Sequence, residues 1–493
     1  MAGGAAQEPP LTRCPVLAAA GGFPRGAQLK RPNIVFILID DMGWRDLSCY
    51  GSRFYETPNL DRLAAEGMRF TNGYASCPVC SPTRASILTG KYPATVGVTD
   101  WIDCGGRLHP CKGKLVDVPY LKYLPLSEKS LASALRDGGY QTWHVGKWHL
   151  GGEPYWPQRH GFDVNIAGSD WGAPGRGYFS PWGMPNLPDG PPGEYLNDRL
   201  TDECIKLIRG AGGRPFFLHL CHYAVHQPIQ APADLVKKYA QKARAMGLDR
   251  APTFAEGDFF PTEHKKHLRI QRRLVQSDPT YAAMIENLDW NVGRLLRALD
   301  ETGLADDTAV FFTSDNGGLA TSEGSPTCNA PLAEGKGWMY EGGTREPLLV
   351  RWPAAIRPGS TCDEPVTSTD FYPTILEMAR MDLLPQQHGD GTSLLPLLKG
   401  ATRLARPAIY WHYPHYGNQG GTPGSSVRSG DFKLIEFFED GRLELYNLRD
   451  DEGERDNLAA RMPRKAAELG AMLARWRQSV AAKIPAPNPD YQA

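Results

Sequence analysis

Two apolar segments, each followed at once by acidic or amide side chains, constrain the fold of this chain more than any other feature. Residues 33–39 read Asn-Ile-Val-Phe-Ile-Leu-Ile, and residues 308–314 read Thr-Ala-Val-Phe-Phe-Thr-Ser. A continuous apolar run of this length, partly β-branched, is typical of a strand that is buried on both faces of a parallel sheet. Residues 215–220, Pro-Phe-Phe-Leu-His-Leu, predict a further strand of this kind.

The side chains that follow the first two runs form an oxygen-rich set. Asp40 and Asp41 follow the first run, and Asp315 and Asn316 follow the second. Ligands of open α/β sheets bind beyond the carboxyl ends of the strands, and adjacent carboxylates repel each other unless a cation holds them. An all-oxygen set favours calcium or magnesium over zinc. A solvated turn is the alternative for Asp40 and Asp41 alone, but the second strand end favours a metal site.

The segment from Cys80 to Gly90 predicts a short helix with a cysteine at its start. Ser81 suits the N-cap, Pro82 the first helical position and Gly90 the C-terminal stop. Cys80 would then lie just before the helix, where unpaired N–H groups and the helix dipole favour a nucleophile that works on an anion. Two other interpretations stay open: Cys80 as a small buried hydrophobic residue, and Cys77 with Cys80 as half of a zinc or redox site.

Residues 80–84, Cys-Ser-Pro-Thr-Arg, closely resemble the modification motif of the type I sulfatases, Cys-x-Pro-Ser/x-Arg, and residues 89–91 supply its usual extension as Thr-Gly-Lys. In these formylglycine-dependent, arylsulfatase-like enzymes of the alkaline phosphatase superfamily, a formylglycine-generating enzyme oxidises the cysteine, and the hydrated aldehyde is the nucleophile. Thr83 stands where serine is usual. Cys80 and Arg84 are present, so the resemblance still implies modification of Cys80.

Further segments match the sulfatases in the family's order, so that the resemblance covers about residues 33 to 460. They are Gly-Lys-Trp-His-Leu-Gly at 146–151, a His-x-Pro at His226, Lys336 before Glu-Gly-Gly-x-Arg at 341–345, and a C-terminal signature at 446–454. Lys147 and His149, two positions apart in an extended segment, point the same way. Together these motifs make the sulfatase interpretation much stronger than the cysteine motif alone.

The resemblance implies a role for each matching side chain. The residues implied in catalysis are Cys80, Arg84, Lys147, His149, His226 and Lys336. The residues implied to hold calcium, or alternatively magnesium, are Asp40, Asp41, Cys80, Asp315 and Asn316. Lys147 and Lys336 would contact the sulfate. His226 or Lys336 would protonate the leaving alcohol.

His149 and Arg84 would hold the formylglycine, again by resemblance. Ser169 is predicted to contact the substrate by resemblance, since a serine near this point contributes to some sulfatase active sites. His412 and His415 are predicted to contact it because hydrogen-bonding and aromatic side chains in a loop-rich segment suit a carbohydrate. The alternative for His412 and His415 is a capped turn beside an aromatic core residue.

The resemblance also implies an α/β fold in which helices sandwich a large, mostly parallel sheet. We expect a flexible tail at residues 1–32, a catalytic domain at residues 33–400 and a smaller α/β subdomain at residues 401–493. Alternating segments in the last part, with a hairpin signal at Asp440-Gly441, predict an antiparallel sheet. A helix from about residue 463 to 482 is predicted to pack on it.

Composition limits the partners. The chain has 493 residues and a formal net charge of −1, so it carries no electrostatic footprint for nucleic acid. No segment is long and apolar enough to span a membrane, and ten cysteines are too few for a disulfide scaffold at this length. The family resemblance implies a periplasmic or secreted protein. Residues 15–23 make only a weak signal peptide, however, so a cytoplasmic location stays open.

We therefore expect a sulfuric ester hydrolase that cleaves a sulfate monoester, on a sulfated carbohydrate or an aryl sulfate. Two alternatives stay open. The same scaffold hosts phosphonate and phosphodiester hydrolases, which a comparison of sulfate and phosphate esters of one alcohol would separate. A non-catalytic protein that binds sulfated glycans would bind without turnover after confirmed modification.

Overall fold

β1 (Asn33–Ile39) and β8 (Thr308–Ser314), the two apolar runs that precede the acidic side chains, pair in parallel within one sheet. In this computed structural model, which describes residues 30–103 and 112–491, every residue of both strands is buried. Their register runs from the first residue of each strand to the last, so the two strands end level with each other. The predicted tail at residues 1–32 lies almost wholly outside the described residues.

The remaining elements alternate along the chain. The other strands are β2 (Met68–Tyr74), β3 (Gln141–Gly146), β4 (Val164–Ile166), β5 (Phe216–Cys221), β6 (Phe254–Phe259), β7 (Arg269–Arg273), β9 (Arg345–Arg351), β10 (Ser360–Cys362), β11 (Val366–Thr367), β12 (Ile409–Tyr413), β13 (Gly424–Ser429), β14 (Phe432–Phe437) and β15 (Leu443–Asn447). The α-helices are α1 (Pro58–Glu66), α2 (Cys80–Thr89), α3 (Pro93–Val96), α4 (Leu131–Asp137), α5 (Leu196–Arg209), α6 (Ala233–Ala245), α7 (Pro279–Glu301), α8 (Glu341–Thr344), α9 (Phe371–Met378), α10 (Leu395–Leu398) and α11 (Pro463–Ser479). Among the described residues, no helix combines the length and the apolar character needed to cross a bilayer.

The main sheet has nine strands, in the order β10-β2-β9-β8-β1-β5-β3-β4, with β11 paired to β2. β1 is parallel to both of its neighbours, and β5, β3 and β4 continue in parallel. β9 is antiparallel to both β8 and β2. The sheet is therefore mixed but mostly parallel, which confirms the predicted fold class.

Helices cover both faces of this sheet. On one face, Ile37 of β1 shares a core cluster with Leu288 and Leu295 of α7. On the other face, Phe36 packs edge-on against Phe371 of α9, with ring centroids 5.1 Å apart. This arrangement follows from strand geometry, since successive side chains of a strand point to opposite faces.

A second, antiparallel sheet contains β12, β13, β14 and β15 in sequence order. The turn between β14 and β15 contains Asp440 and Gly441, as predicted, and Gly441 has a φ of 69°, which glycine adopts without strain. α11 packs against this sheet through Leu469 and Leu473. These elements all lie within residues 401–493, and the division at residue 400 stays a prediction.

β6 and β7 form a separate two-stranded antiparallel hairpin between α6 and α7. The hairpin docks on the chain that follows β8, because the Arg273 amide donates to the Ala320 carbonyl at 2.9 Å. Arg272 also pairs with Glu334 at 2.7 Å. The hairpin therefore lies beside the segment that carries Lys336.

Candidate active site

α2 begins at Cys80 itself, and no side chain caps it. The predicted Ser81 N-cap is therefore wrong, because that hydroxyl has tertiary partners instead. Ser81 Oγ donates to the main-chain oxygen of His149 at 2.9 Å and accepts from the amide of Ile102 at 3.0 Å. The predicted stop at Gly90 is confirmed by its left-handed φ of 68°. Cys80 thus lies in the first turn of the helix and is buried.

The carboxyl ends of four parallel strands deliver predicted site residues to one edge of the sheet. These residues are Asp40 and Asp41 after β1, Lys147 and His149 after β3, His226 after β5, and Asp315 and Asn316 after β8. The four strands are consecutive in the sheet, in the order β8-β1-β5-β3, so their ends lie side by side. The start of α2 lies at the same edge of the sheet. The Cys80 sulfur, one carboxylate oxygen of Asp40 and one carboxylate oxygen of Asp315 lie within 4.8 Å of one another.

Two buried cations hold Asp40 and Asp315. Lys147 Nζ lies 2.6 Å from Asp40 Oδ2. Arg84 places Nε and Nη2 2.8 and 2.7 Å from Asp315 Oδ2, and its Nη1 donates to the main-chain oxygen of Lys147. The Lys147 charge lowers the pKa of Asp40, but burial has the larger effect and raises it. Burial likewise outweighs the Arg84 charge and raises the pKa of Asp315 to about 6. Further positive charge would favour the ionised form of both carboxyl groups.

Asp41 lies between Lys336, His226 and Asn316. Its Oδ2 is 2.8 Å from Lys336 Nζ and 3.6 Å from His226 Nε2, and its Oδ1 accepts a hydrogen bond from Asn316 Nδ2 at 2.8 Å. Burial opposes ionisation of Asp41, but the Lys336 charge lowers its pKa below the usual range. Burial also opposes the charge on Lys336, yet Asp41 raises the pKa of that ammonium group. Burial and the Lys336 charge lower the pKa of His226 to about 4.

The donor atoms fit a hard cation. Asp40 Oδ1 and Asn316 Oδ1 are buried and have no hydrogen-bond partner among the described residues. A buried polar atom left in this state costs roughly 1–3 kcal/mol. With Asp41 and Asp315 they form an oxygen-only set, which is the type that binds calcium and magnesium. A cation would satisfy both oxygens and offset the carboxylate charge, so the residues present fit the metal that the resemblance implies.

His149 offers an unused acceptor. Its Nε2 lies 2.8 Å from the main-chain oxygen of Ile102, so Nε2 carries the proton. Nδ1 is therefore unprotonated and can accept a hydrogen bond. Nδ1 is buried and has no hydrogen-bond partner within the described ranges. Burial keeps the pKa of His149 well below its ordinary value, so the ring stays neutral. His149 also has a φ of 57°, a left-handed backbone of the kind found at functional sites.

A family model named Sulfatase matches residues 32–381 of this chain. The chain belongs to the sulfatase family. A second model, described as N-sulphoglucosamine sulphohydrolase, C-terminal, matches residues 334–479, which include the antiparallel sheet and α11.

Individual relatives agree with this assignment. A sulfatase from Formosa agariphila is 32% identical to this sulfatase, over 88% of this chain and 85% of the relative. The N-acetylgalactosamine-6-sulfatase of Canis lupus familiaris is 31% identical, over 80% of this chain and 71% of the relative. The crystal structure of Ps i-CgsB in complex with k-i-k-neocarrahexaose matches with a TM-score of 0.72 and 26% identity, over 91% of this chain and 93% of that chain. The protein is therefore an enzyme that hydrolyses sulfate esters.

The three side chains predicted to contact substrate in this sulfatase lie in different surroundings. Ser169 is next to the cluster, because its main-chain oxygen accepts from the His149 amide at 3.0 Å. His412 is buried and bonds to the Ser425 hydroxyl at 2.7 Å and to a main-chain oxygen at 3.0 Å. His415 is buried and bonds to a threonine hydroxyl at 2.9 Å and to a carboxylate at 2.5 Å. Both rings use their two nitrogens in these contacts, and their substrate role stays a prediction.

Sequence patterns missed two parts of the sulfatase site. The main chain of Ile102 contacts both Ser81 and His149, but a main-chain group has no signature in the sequence. Glu323 was also missed, although its charge is among those that raise the pKa of Lys336. A glutamate in a loop carries no signal until the fold places it near a cation.

Proposed function

We propose that this sulfatase uses formylglycine made from Cys80, together with calcium, to release sulfate from a sulfated carbohydrate. One observation carries the proposal: ligand atoms of Asp40, Cys80 and Asp315 lie within 4.8 Å of one another, while Asp40 Oδ1 has no hydrogen-bond partner in the described part of the chain. Position 80 thus shares a buried space with the carboxylate oxygens that would bind a cation. Hydrated formylglycine at position 80 would supply one hydroxyl group for attack on sulfur, with the alcohol leaving as its bond to sulfur breaks, and a second hydroxyl group whose deprotonation would expel sulfate and restore the aldehyde.

Asp40, Asp41, Asp315 and Asn316 would hold the calcium ion. Calcium bound there would supply Lewis-acid stabilisation of the negative charge on the sulfate. Asn316 Oδ1, which has no hydrogen-bond partner among residues 30–103 and 112–491, and the raised pKa of Asp40 support a cation at this point. Magnesium is the alternative, although calcium tolerates less regular ligand geometry.

Lys147 and Lys336 would bind the sulfate oxygens. Their Nζ atoms lie 2.6 and 2.8 Å from Asp40 and Asp41, and both side chains are buried. Preorganised cations in a site that excludes water stabilise developing charge strongly. Arg84 would act as a positioning residue, since it holds Asp315 and the main chain of Lys147.

Lys336 and His226 are the proton carriers beside Asp41. The leaving alcohol oxygen needs a proton, and such a transfer contributes roughly 10²–10⁴-fold to rate. Lys336 holds its proton at neutral pH because Asp41 raises its pKa, whereas His226 is neutral with a pKa of about 4. We therefore assign proton donation to Lys336. His149 Nδ1 would accept a hydrogen bond from a hydroxyl group at position 80.

The carbohydrate part of the proposal is supported by the relatives. An N-acetylgalactosamine-6-sulfatase matches 80% of this chain, and a structural relative is complexed with a neocarrahexaose. Conversion of Cys80 would require a formylglycine-generating enzyme as the maturation partner.

Mass spectrometry with a sulfate-release assay tests this proposal. Trypsin would release residues 70–84, a peptide that contains both Cys77 and Cys80. After co-expression with a formylglycine-generating enzyme, we expect the mass change of thiol-to-aldehyde conversion at Cys80 only, and sulfate release that scales with the converted fraction. The Cys80→Ala variant is the control and should lack both. Full sulfate release by protein with an unmodified thiol at Cys80 would overturn the formylglycine route.

A second comparison addresses the reaction class. Sulfate and phosphate monoesters of one alcohol, assayed side by side, should show a higher kcat/KM for the sulfate. The opposite preference would assign the chain to phosphoryl transfer instead.

A further inference from the structure

A cavity of about 360 Å³ lies between the β6–β7 hairpin and the segment 321–325, and we call it the hairpin cavity. The hairpin side is lined by Phe254, Phe260, Lys265, Leu268, Arg269 and Gln271. Pockets for small organic ligands have volumes of about 300–1,000 Å³, with mostly apolar walls and a few polar groups. The hairpin cavity has this size and this kind of wall.

The hairpin cavity adjoins the catalytic residues through Glu323. Gln227, which follows His226 in the chain, donates from Nε2 to the main-chain oxygen of Glu323 at 2.5 Å. The Glu323 charge also contributes to the raised pKa of Lys336. Glu323 therefore stands between the hairpin cavity and the two proton carriers of the proposed reaction.

The wall next to the catalytic residues has strained backbone. Glu323 and Ser325 have φ values of 55° and 42°, and Gly324 between them has a φ of 85°. Left-handed backbone at a non-glycine residue is strained and persists only where the surroundings hold it. Gln419 Nε2 donates to Glu323 Oε1 at 2.8 Å, and Ser325 Oγ donates to a main-chain oxygen of β7 at 3.2 Å. Such a held, strained segment is typical of a binding site.

The hairpin side combines exposed apolar surface with positive charge. Phe254 and Leu268 are 43% and 47% exposed, although large apolar side chains usually pack inside. Lys265 Nζ lies 5.1 Å from the centre of the Phe260 ring. Arg269 pairs with Glu256 at 2.8 Å and donates to the Gly257 carbonyl at 3.1 Å, and its guanidinium has five N–H donors, so donors remain for a ligand. An aromatic surface beside two cations suits a ring with an apolar face and an anionic substituent.

We propose that the hairpin cavity binds the sugar ring next to the one that loses its sulfate, and that this second ring carries a sulfate or carboxylate group. This inference rests on the proposed carbohydrate sulfatase function. A pyranose ring presents an apolar C–H face to aromatic side chains, and its anionic group would bind Lys265 and Arg269. A wholly apolar leaving group, such as a sterol, would offer no anionic group to either cation.

The test compares substrates of different length with matched variants. The probes are 4-nitrophenyl sulfate, a panel of sulfated monosaccharides, and the oligosaccharides in which each monosaccharide is linked to an anionic ring. The variants are Phe254→Ala and Arg269→Gln. The controls are Trp290→Ala, an exposed aromatic residue of α7 outside the cavity, and Arg297→Gln, an exposed arginine of α7.

For the wild type, we expect kcat/KM at least tenfold higher for one or more oligosaccharides than for the matching monosaccharide. Phe254→Ala and Arg269→Gln should remove most of this preference through KM, while turnover of 4-nitrophenyl sulfate and of monosaccharides stays within twofold. The controls should keep the preference. The inference would be overturned if the wild type preferred no oligosaccharide in the panel. It would also be overturned if the variants lowered kcat/KM for all substrates by the same factor. Failure to release sulfate from any ester, 4-nitrophenyl sulfate included, would instead contradict the proposed function.

Discussion

Arg84 of α2 and Asp315 at the end of β8 form a buried ion pair in which two nitrogens, Nε and Nη2, lie 2.8 and 2.7 Å from the same carboxylate oxygen. The third nitrogen of the guanidinium, Nη1, donates to the main-chain oxygen of Lys147 at 2.9 Å. One side chain thus connects the helix that starts at Cys80 with the ends of two strands. Folding stability and the geometry of the site depend on the same contact.

The Arg84→Lys variant should lose stability and activity together. Lysine keeps the charge but cannot bond to Asp315 and Lys147 at once, so we expect a loss of about 2–3 kcal/mol in the free energy of unfolding. Displacement of the site should lower kcat/KM roughly 100-fold. Denaturant unfolding and sulfate release measure these effects, with conversion of Cys80 checked by mass spectrometry. Arg62→Lys, in an exposed ion pair, should change stability by less than about 1 kcal/mol; an equal loss there would contradict this explanation.

Calcium should stabilise the folded protein, and its removal should lower activity. A ligand at a hundredfold excess over its Kd adds about 2.7 kcal/mol of stability. Asn316→Ala removes a buried oxygen that has no hydrogen-bond partner in the described part of the chain, and it should weaken this stabilisation by calcium. Asp300→Asn, an exposed carboxylate of α7, should keep it. Thermal unfolding with added calcium, after treatment with a chelator, gives the comparison, and equal responses of all three proteins would argue against the predicted ligand set.

Alanine substitutions at Gly146 and Gly139 test whether the end of β3, which leads into Lys147, must keep its position. Both have positive φ, 101° and 88°, so both alanine variants are strained. At Gly146 a Cβ atom would also lie 1.9 Å from the Cys221 carbonyl, whereas at Gly139 it meets nothing within 4 Å. We expect Gly146→Ala to lose about 3 kcal/mol or more and most activity, and Gly139→Ala to lose about 1–2 kcal/mol with activity intact. Similar activities for the two variants would show that Lys147 tolerates displacement.

Lys433 of β14 should be a strong determinant of stability. It is completely buried, with Nζ 2.9 Å from both Glu341 and Glu454. Lys433→Met would leave two buried carboxyl groups without their cation, at a cost of roughly 3–5 kcal/mol. Lys465→Met breaks a solvent-exposed pair and should cost less than about 1 kcal/mol. Urea unfolding of both variants measures their free energies of unfolding. Equal losses for the two variants would show that the buried ion pairs of Lys433 contribute no more than the exposed pair.

Asp289 predicts a pH dependence of stability. It caps the start of α1 by accepting from the Asn59 and Leu60 amides, yet burial raises its pKa to about 6. Between about pH 4 and 6 the folded state therefore holds a proton that the unfolded state has lost, so stability falls as pH rises through this range, by at most about 1.4 kcal/mol per unit. Asp289→Asn should reduce this slope without removing it, because burial also raises the pKa values of Asp46 and Asp315 to about 6. Asp300→Asn, which alters an exposed carboxylate, should retain it in unfolding measured at several pH values.

The strand ends could be predicted because their signals are local. A buried strand needs a continuous apolar run, and Asp40 and Asp315 follow such runs directly. The helix stop at Gly90 was predicted correctly for the same reason, since its left-handed backbone is a local property. The role of Ser81 was predicted wrongly, because its hydroxyl bonds to groups distant in the chain instead of to the helix that it enters.

The sequence alone determined the family, the fold class and the list of side chains that meet at the sheet edge, because motifs and apolar runs are written in consecutive residues. Only the tertiary structure decided which of these side chains touch, such as Arg84 with Asp315 and Lys336 with Asp41. It also decided which buried oxygens have no hydrogen-bond partner among the residues that the structure describes, and where the hairpin cavity lies. The physical reason is that burial, ion pairing and shifts in pKa depend on distances between segments far apart in the chain, and packing sets those distances.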